Sequence, residues 1–356
     1  MDLAKNIKDL LFDGIVIPAH PLALDEHRQL DEFHQRLLTR YYIESGVGGI
    51  AVGVHTTQFE IREPKYNLYE SVLSLAAQEV DRIPLNRPLI KIAGICGPTY
   101  QAIREADIAK GLGYHLGLLS INGLGEWSEA KLLKRARAVG EHIPLFGFYL
   151  QSSVGGKVLS EAFWKEFSEI PSVQAIKIAP FNRYQSLEVV RAVCNSSRND
   201  EIALYTGNDD NIVNDLLTTY EIETDKGTVQ KEIVGGLLGH WSVWTQKAVE
   251  LLNDIKKAKY SNNGIERGWL TKNIKVTDSN AAFFDSKNSF KGCIAGLHEV
   301  LKRQGLLKGI WCLDSNENLS LGQFEEIDRV YKNYPELNDD DFVKRNIESW
   351  ISGLRN

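Results

Sequence analysis

A single lysine stands inside a short hydrophobic run of the sequence, "SVQAIKIAP" at residues 172–180. Side chains alternate between the two faces of a strand, so Lys177 shares a face with the small residues Ala175 and Ala179. Burial of a lysine lowers the pKa of its ammonium, because the charged form loses its hydration. The neutral amine that results can attack a ketone and form a Schiff base. Lys177 is therefore the first catalytic candidate; a lysine at a strand end that reaches water is the structural alternative.

A tyrosine occupies a similar place in the preceding apolar run, "PLFGFYL" at residues 144–150. The alternating pattern puts Leu145, Gly147 and Tyr149 on one face of that strand. If this face points the same way as Lys177, the phenol lies beside the amine and can transfer protons to and from a bound carbonyl. The sequence therefore predicts Tyr149 and Lys177 as a catalytic pair, with a core tyrosine of satisfied hydroxyl as the alternative.

Two threonines follow the second apolar run, in "AVGVHTTQFE" at residues 51–60. Threonine hydroxyls and backbone N–H groups can bind an anion, and the carboxylate of a 2-keto acid would suit them. Thr56 and Thr57 are therefore candidates for holding such a carboxylate. The neighbouring His55 can assist, although an isolated histidine more often makes an ordinary structural hydrogen bond.

Eight short apolar runs alternate with helix-like segments along the chain. The runs lie at 14–20, 49–53, 88–95, 115–121, 144–150, 173–179, 202–207 and 233–239. Helices are predicted at 99–111, 128–142, 160–169, 184–195, 209–219 and 243–258, and helix-like segments also follow the first two runs. This alternation predicts a closed (β/α)8 TIM barrel, whose active site lies at the carboxyl ends of its parallel strands. A doubly wound sheet fits less well, since no glycine-rich turn follows the first run.

Two segments fall outside this alternation. Residues 220–232 are polar and longer than a link between a helix and a strand needs, so we expect an arm or hairpin there. From residue 259 the chain is polar and then becomes helical again. Ser320 and Gln323 have capping-box spacing, and an Asn/Asp cluster opens the segment 338–354. We therefore predict a barrel over residues 1–258 and a C-terminal helical extension over 259–356 that packs on it.

Composition narrows the functional classes. The 356 residues are 43% hydrophobic and 25% charged with a net charge of −6, which is ordinary for a globular protein and argues against a nucleic-acid partner. The four cysteines have no metal-like spacing and are expected to be reduced thiols. The N-terminal segment resembles neither a signal peptide nor a membrane span, so a cytoplasmic protein without a membrane partner is predicted.

Five motifs, in this order, resemble those of the dihydrodipicolinate synthase and N-acetylneuraminate lyase family of class I aldolases. The family places Gly-Thr-Thr-Gly-Glu after strand two, matched here at Thr56 and Thr57, and Tyr-Asn-x-Pro-x-x-x-Gly on strand five, matched at Tyr149. Its Schiff-base lysine lies in Gly-x-Lys on strand six, matched by "AIKIA" at Lys177. "YTGNDD" resembles the lyase-type Gly-x-Asp turn after strand seven, and "GGLLGHWSV" resembles the glycine-rich strand eight with its serine.

The resemblance implies roles for these residues. Lys177 would form an imine with a 2-keto acid, commonly pyruvate, without a metal or any other cofactor. Tyr149 would carry protons, and Thr56 together with Thr57 would hold the carboxylate. The other predicted substrate-binding residues follow strands two, seven and eight: His55, Gly207, Asp209 and Ser242. Members of the family commonly form dimers or tetramers, so a homodimer or homotetramer is expected.

The sequence also departs from the family pattern. Gln58 and Phe59 replace the Gly-Glu pair, the tyrosine that the synthases place after strand four has no counterpart, and Val154 stands near the position of their arginine. These differences argue against dihydrodipicolinate synthase itself. The prediction is a Schiff-base lyase or aldolase acting on a 2-keto acid with an aldehyde or sugar-acid partner. The alternatives are a sugar-phosphate aldolase and a non-catalytic barrel that binds small molecules.

Overall fold

The sheet of the protein consists of short strands that are mostly buried. The structure is a computed structural model that describes residues 3–261 and 264–355. Its strands are β1 (Val16–Pro18), β2 (Gly49–Val52), β3 (Ile90–Ile95), β4 (Leu116–Leu119), β5 (Leu145–Leu150), β6 (Val173–Ala179), β7 (Ala203–Thr206), β8 (Thr219–Thr224) and β9 (Gly227–Leu238). They follow the order β1-β9-β7-β6-β5-β4-β3-β2, with β8 paired to β9, and a parallel bridge joins Ala19 to Ala51. Eight parallel strands thus form a nearly closed barrel, and the predicted (β/α)8 fold is confirmed.

Helices follow the strands and continue in a C-terminal helical region. They are α1 (Lys5–Asp13), α2 (Glu32–Glu44), α3 (Tyr69–Arg82), α4 (Thr99–Gly111), α5 (Glu129–Gly140), α6 (Glu161–Ser168), α7 (Arg183–Cys194), α8 (Ile212–Leu217), α9 (Thr245–Lys259), α10 (Gly268–Phe283), α11 (Cys293–Arg303), α12 (Gln323–Asn333) and α13 (Asp340–Arg355). Serine hydroxyls at Ser128 and Ser160 cap the first turns of α5 and α6. The helix predicted at 99–111 is confirmed, whereas α1 was not predicted. None of the described helices is long and apolar enough to cross a bilayer.

The first of two compact units consists of the residues up to Ile15 together with Pro88–Leu237. Strands β3 to β7 pair in parallel order within it, and β9 joins β7. The Tyr205 hydroxyl on β7 donates to the Leu11 carbonyl oxygen of α1 at 2.7 Å, which ties this helix to the strands. Strands β8 and β9 form an antiparallel hairpin. The hairpin predicted at 220–232 is therefore confirmed, and it makes the last barrel strand longer than expected.

The second compact unit consists of Val16–Arg87 together with the residues from Leu238 onward. It contains β1, β2 and the helical region α10 to α13. Buried Asp339, just ahead of α13, accepts hydrogen bonds from the Tyr41 hydroxyl and the Gln304 side chain, each at 2.7 Å. These contacts pack the C-terminal helices into the unit. The predicted boundary between residues 258 and 259 falls inside it and stays a prediction.

The predicted caps of the last two helices form in part. The Gln323 side chain accepts a hydrogen bond from the Ser320 N–H at 3.0 Å, which is one of the two bonds of a capping box, but α12 begins at Gln323 and its N-cap is Gly322. The Ser320 hydroxyl, however, donates to the carboxylate of Asp285, because an ionised oxygen is the stronger acceptor. At the start of α13 the Asn338 side chain accepts from the Asp340 N–H at 2.6 Å, so the cap predicted there is confirmed.

Candidate active site

Lys177 lies on β6 of the first unit, where both neighbouring strands place an aromatic residue in register with it. Phe148 of β5 and Tyr205 of β7 are its partners, and residues in register on parallel strands point to the same face. The lysine is only 8% exposed, and its Nζ lies 4.4 Å from the centroid of the Phe148 ring. The amine is therefore buried against an aromatic face.

Gly207, directly after β7, leaves room for the stem of this lysine. A Cβ at Gly207 would lie 2.4 Å from the Cε atom of Lys177 and 2.7 Å from the Cβ atom of Ala179. Both distances are shorter than a nonbonded carbon contact allows. Any side chain at position 207 therefore collides with the lysine side chain, so the structure gives Gly207 a steric role in addition to the predicted substrate contact.

The electrostatic surroundings of Lys177 favour a partly neutral amine. Burial lowers its pKa to about 8, and the charge of the Asp209 carboxylate opposes part of that shift. At pH 7 roughly one amine in ten is then neutral, against about one in several thousand for an ordinary lysine. The first unit thus supplies the chemical requirement for attack on a ketone.

The turn that carries Asp209 is fixed by a second buried carboxylate. Asp215 accepts hydrogen bonds from Thr206 Oγ1 at 2.7 Å, Asn208 Nδ2 at 3.0 Å and Arg183 Nη1 at 2.5 Å. Thr206 and Asn208 flank Gly207, and Asp209 comes next in the chain at 5% exposure. Asp215 and Asn208 were not predicted as site residues. Their only sequence signal is a cluster of polar residues after a barrel strand, where active sites of this fold lie.

Tyr149 does not join Lys177. It is in register with Ile178, and its ring packs against Trp164 of α6 at 5.1 Å between centroids. Its hydroxyl meets the backbone of Leu159, and burial raises the pKa of the phenol. Tyr149 therefore lies on the opposite face of β5, toward the helices. The predicted catalytic pair of Lys177 and Tyr149 is wrong, and Phe148 occupies the neighbouring place.

A register irregularity between β5 and β6 accounts for this error. Leu145 pairs with Val173, but Phe146 pairs with Ala175, so Gln174 is skipped. One extra residue in a strand exchanges the two faces of everything that follows relative to the partner. Without that residue the offset of the first pair would continue, and position 149 would face Lys177. Alternation within each strand does not reveal such a shift.

The other predicted site residues belong to the second unit. The Thr56 hydroxyl donates to the Ala19 carbonyl oxygen at 2.7 Å, and the Ser242 hydroxyl donates to the same oxygen. The Thr57 hydroxyl donates to the His20 carbonyl oxygen at 2.6 Å. These bonds gather the turn after β2 and the turn after β9 at the end of β1.

The second unit therefore brings Thr56 and Ser242 together on one backbone oxygen. Because the hydroxyl protons of Thr56 and Thr57 are directed at carbonyl groups, a carboxylate contact through them requires rotation of the hydroxyls. The ring of His55, which is half-buried, lies 6.0 Å from that of Phe59. The anion-binding and substrate-binding roles of these four residues stay predictions.

Comparison with known proteins adds evidence about the fold. No family model matches the sequence, and no curated protein matches it significantly. Among solved structures, a prophage protein of the dihydrodipicolinic acid synthase family from E. coli K12, in complex with pyruvate, superposes with a TM-score of 0.72. The two sequences are 16% identical, and the match covers 92% of this chain and 99% of that chain. This chain shares its fold.

Two further structures support the same conclusion. N-acetylneuraminate lyase from Fusobacterium nucleatum gives a TM-score of 0.70 at 15% identity, over 91% of this chain and 99% of that chain. Dihydrodipicolinate synthase from Aquifex aeolicus gives a TM-score of 0.71 at 16% identity, over 90% of this chain and 98% of that chain. The resemblance predicted from the five motifs is confirmed at the level of the fold. Activity has to be argued from the residues of the site, because identities this low establish the fold alone.

Replacing Phe148 with leucine is expected to lower the pKa of Lys177 by about one unit. A buried aromatic face stabilises a cation by about 1–2 kcal/mol, and 1.36 kcal/mol corresponds to one pKa unit. Removing the ring disfavours the ammonium, so the pH at which the amine becomes reactive falls from about 8 to about 7. The pH dependence of Lys177 labelling by an amine-directed reagent, followed by peptide mass spectrometry, measures this midpoint.

Phe146→Leu is the matched control. Phe146 lies on the same strand and face, and its ring contacts Tyr205 at 5.3 Å. In this variant the midpoint of the pH dependence of Lys177 labelling should stay at the wild-type value. A midpoint that moves equally in both variants would mean that loss of packing, not loss of the aromatic face beside the amine, changes the pKa.

Proposed function

We propose that this protein is a class I lyase or aldolase that binds a 2-keto acid as an imine on Lys177. It joins that acid to, or releases it from, an aldehyde or sugar-acid partner. From the resemblance we further propose that it does so without a metal or other cofactor and as a homo-oligomer. The observation that carries the proposal is a buried lysine on β6 with a pKa of about 8.

The surroundings of Lys177 support this reading. Gly207 leaves space for the lysine side chain, and the Phe148 ring forms an apolar surface against which the amine lies. An amine kept in such a place has no evident stabilising function, because burying an ammonium costs free energy that an apolar residue would not. The pyruvate bound by the E. coli protein of the same fold makes a small 2-keto acid the first ligand to test.

The chemistry then follows from the neutral amine. Nζ attacks the C2 carbonyl carbon, and the resulting carbinolamine takes up a proton on its hydroxyl group and loses water to leave a protonated imine. The positive nitrogen withdraws electrons, so a proton on C3 or a carbon–carbon bond at C3 can be cleaved, with its electron pair forming an enamine. Reversal of these steps releases the keto acid and restores the amine. Burial also keeps bulk water away from the imine.

Trapping of the imine by borohydride tests the proposal directly. Protein incubated with pyruvate and borohydride should gain one reduced adduct, which peptide mass spectrometry should locate on Lys177. Lys177→Met should abolish the adduct. The matched control is Lys91→Met, which removes a second buried lysine on β3 and should leave the adduct intact.

The trapping experiment has to include other 2-keto acids, because the amine reacts with the ketone and does not determine which substituent the keto acid carries. A folded protein that gives no Lys177 adduct with any member of a 2-keto acid panel contradicts the proposal. Thermal stabilisation by a keto acid without an adduct would instead indicate a non-catalytic binding barrel, since binding to the folded state alone raises the melting temperature.

A further inference from the structure

We infer that the carboxylate of Asp209, and not a tyrosine phenol, exchanges protons with the substrate carried by Lys177. This inference rests on the proposed function. Schiff-base chemistry at C3 needs a base that removes a proton and an acid that returns it. Tyr149 was predicted to be this acid and base, but it does not face Lys177 in the structure.

Neither tyrosine near β6 can take this role in the first unit. Tyr149 lies on the opposite face of β5, in register with Ile178. Tyr205 is in register with Lys177, but its hydroxyl donates to the Leu11 carbonyl oxygen at 2.7 Å. The residue on β5 that does face the amine is Phe148, whose side chain has no exchangeable proton.

Asp209 is the ionisable group that the turn after β7 brings to Lys177. It lies two residues after Gly207, whose Cα is so close to the lysine stem that a Cβ would touch Cε. The Gly207 N–H donates to the Ile178 carbonyl oxygen of β6 at 2.8 Å, which holds the turn against the strand that carries the lysine. Asp209 is 5% exposed, and its charge acts on the Lys177 ammonium. A buried carboxylate beside a reactive amine is a suitable proton carrier.

The two other carboxylates near this turn, those of Asp215 and Asp210, interact with groups other than Lys177. Asp215 uses both oxygens to accept hydrogen bonds from four side chains: Thr206, Asn208, Asn211 and Arg183. Asp210 has a side chain that is 41% exposed and lies 3.7 Å from the Arg183 guanidinium. Asp215 therefore positions the turn, and Asp209 is the buried carboxylate of this turn whose charge acts on the amine.

The proton steps balance with Asp209 as both base and acid. Its carboxylate removes a proton from C3 of the protonated imine, and the C3–H electron pair forms the enamine double bond while the nitrogen becomes neutral. In condensation, C3 of the enamine then attacks an aldehyde carbon, and protonated Asp209 delivers its proton to the oxygen that becomes a hydroxyl. In cleavage the same proton travels the other way. Without an aldehyde, protonated Asp209 first exchanges its proton with solvent and then returns a solvent-derived proton to C3, so the substrate hydrogen is exchanged.

Hydrogen exchange separates this step from imine formation. Wild-type protein in deuterium oxide should exchange the methyl protons of pyruvate, measured by proton NMR, and should give the Lys177 adduct with borohydride. Asp209→Asn should keep the adduct but lower the exchange rate at least about 100-fold, the lower end of what a general base contributes. Tyr149→Phe should match the wild type in both measurements.

The possible outcomes distinguish the inference from the proposed function. Absence of adduct and exchange in the wild type, with pyruvate and with the panel of 2-keto acids, overturns the proposed function. Wild-type exchange in Asp209→Asn, or loss of exchange in Tyr149→Phe, overturns the inference and leaves the imine in place. If Asp209→Asn loses the adduct as well, Asp209→Glu decides. Recovery of adduct and exchange together supports the inference, and recovery of the adduct alone overturns it.

Discussion

Valine in place of Gly207 is expected to reduce the yield of the trapped Lys177 adduct about 100-fold or more. Its Cβ would lie 2.4 Å from Cε of Lys177, so the lysine side chain has to move from its place. Displacement of a reacting group by about 1 Å can cost 100-fold in rate. The contact with Ala179 at 2.7 Å cannot be relieved by a side-chain rotation, so overpacking also lowers the free energy of unfolding by about 1–3 kcal/mol. Borohydride trapping and chemical denaturation measure the two effects.

Gly111→Ala is the control for this substitution. Gly111 ends α4, and a Cβ there would meet no atom within 4 Å. The alanine should leave the adduct unchanged and alter the stability only slightly, in the direction of stabilisation. If Gly207→Val forms the adduct at the wild-type rate, then the lysine does not need the space beside Gly207, and the geometry of the proposed site is contradicted.

Replacing Asp215 with alanine is expected to lower the free energy of unfolding by roughly 2–4 kcal/mol, because each buried donor left unsatisfied costs about 1–3 kcal/mol. Asp215 is 2% exposed, and its loss leaves buried donors of Thr206 and Asn208 without their acceptor. The Arg183 guanidinium loses its closest partner at the same time. Urea denaturation followed by circular dichroism gives the change, provided that the slope of the transition is the same as in the wild type.

Asp210→Ala provides the comparison, since Asp210 is in the same turn and also lies near Arg183. Its ion pair at 3.7 Å is partly exposed to solvent, and such pairs contribute less than about 1 kcal/mol. The two aspartates should therefore differ by at least about 1 kcal/mol in their effect on unfolding. Equal effects would show that the hydrogen bonds to Asp215 do not hold the turn together.

Phe148, and not the predicted Tyr149, lies beside Lys177, so the proposed reaction needs a proton carrier other than a tyrosine on β5. A phenol in that place would supply a proton donor, whereas the Phe148 ring supplies only an apolar and weakly cation-stabilising face. A lyase with this geometry needs another proton carrier, and Asp209 is the group that the structure of the first unit offers. The pairing of Lys177 with a carboxylate also keeps the amine pKa from falling further than about 8.

The alternation of apolar runs and amphipathic segments was sufficient to predict the barrel. Short buried strands that alternate with helices can satisfy their backbone groups and bury both faces only as a parallel sheet covered by helices. The arm or hairpin at 220–232 was also predictable, because this segment is polar and longer than a link between a helix and a strand needs. The place of Lys177 in a buried strand followed from the same local periodicity.

Only the tertiary structure decided which residues meet the lysine. The sequence determines which side chains of one strand share a face. The pairing of β5 with β6, however, skips Gln174. Because of this shift Phe148 lies on the same face as Lys177, and Tyr149 lies on the opposite face. The closeness of Gly207 and Asp209 to the amine likewise depends on the packing of a turn held by Asp215, nine residues beyond Thr206 in the chain. Periodicity is a local property of the chain, whereas register and turn packing arise from contacts between distant segments, so the elements were predictable and their mutual fit was not.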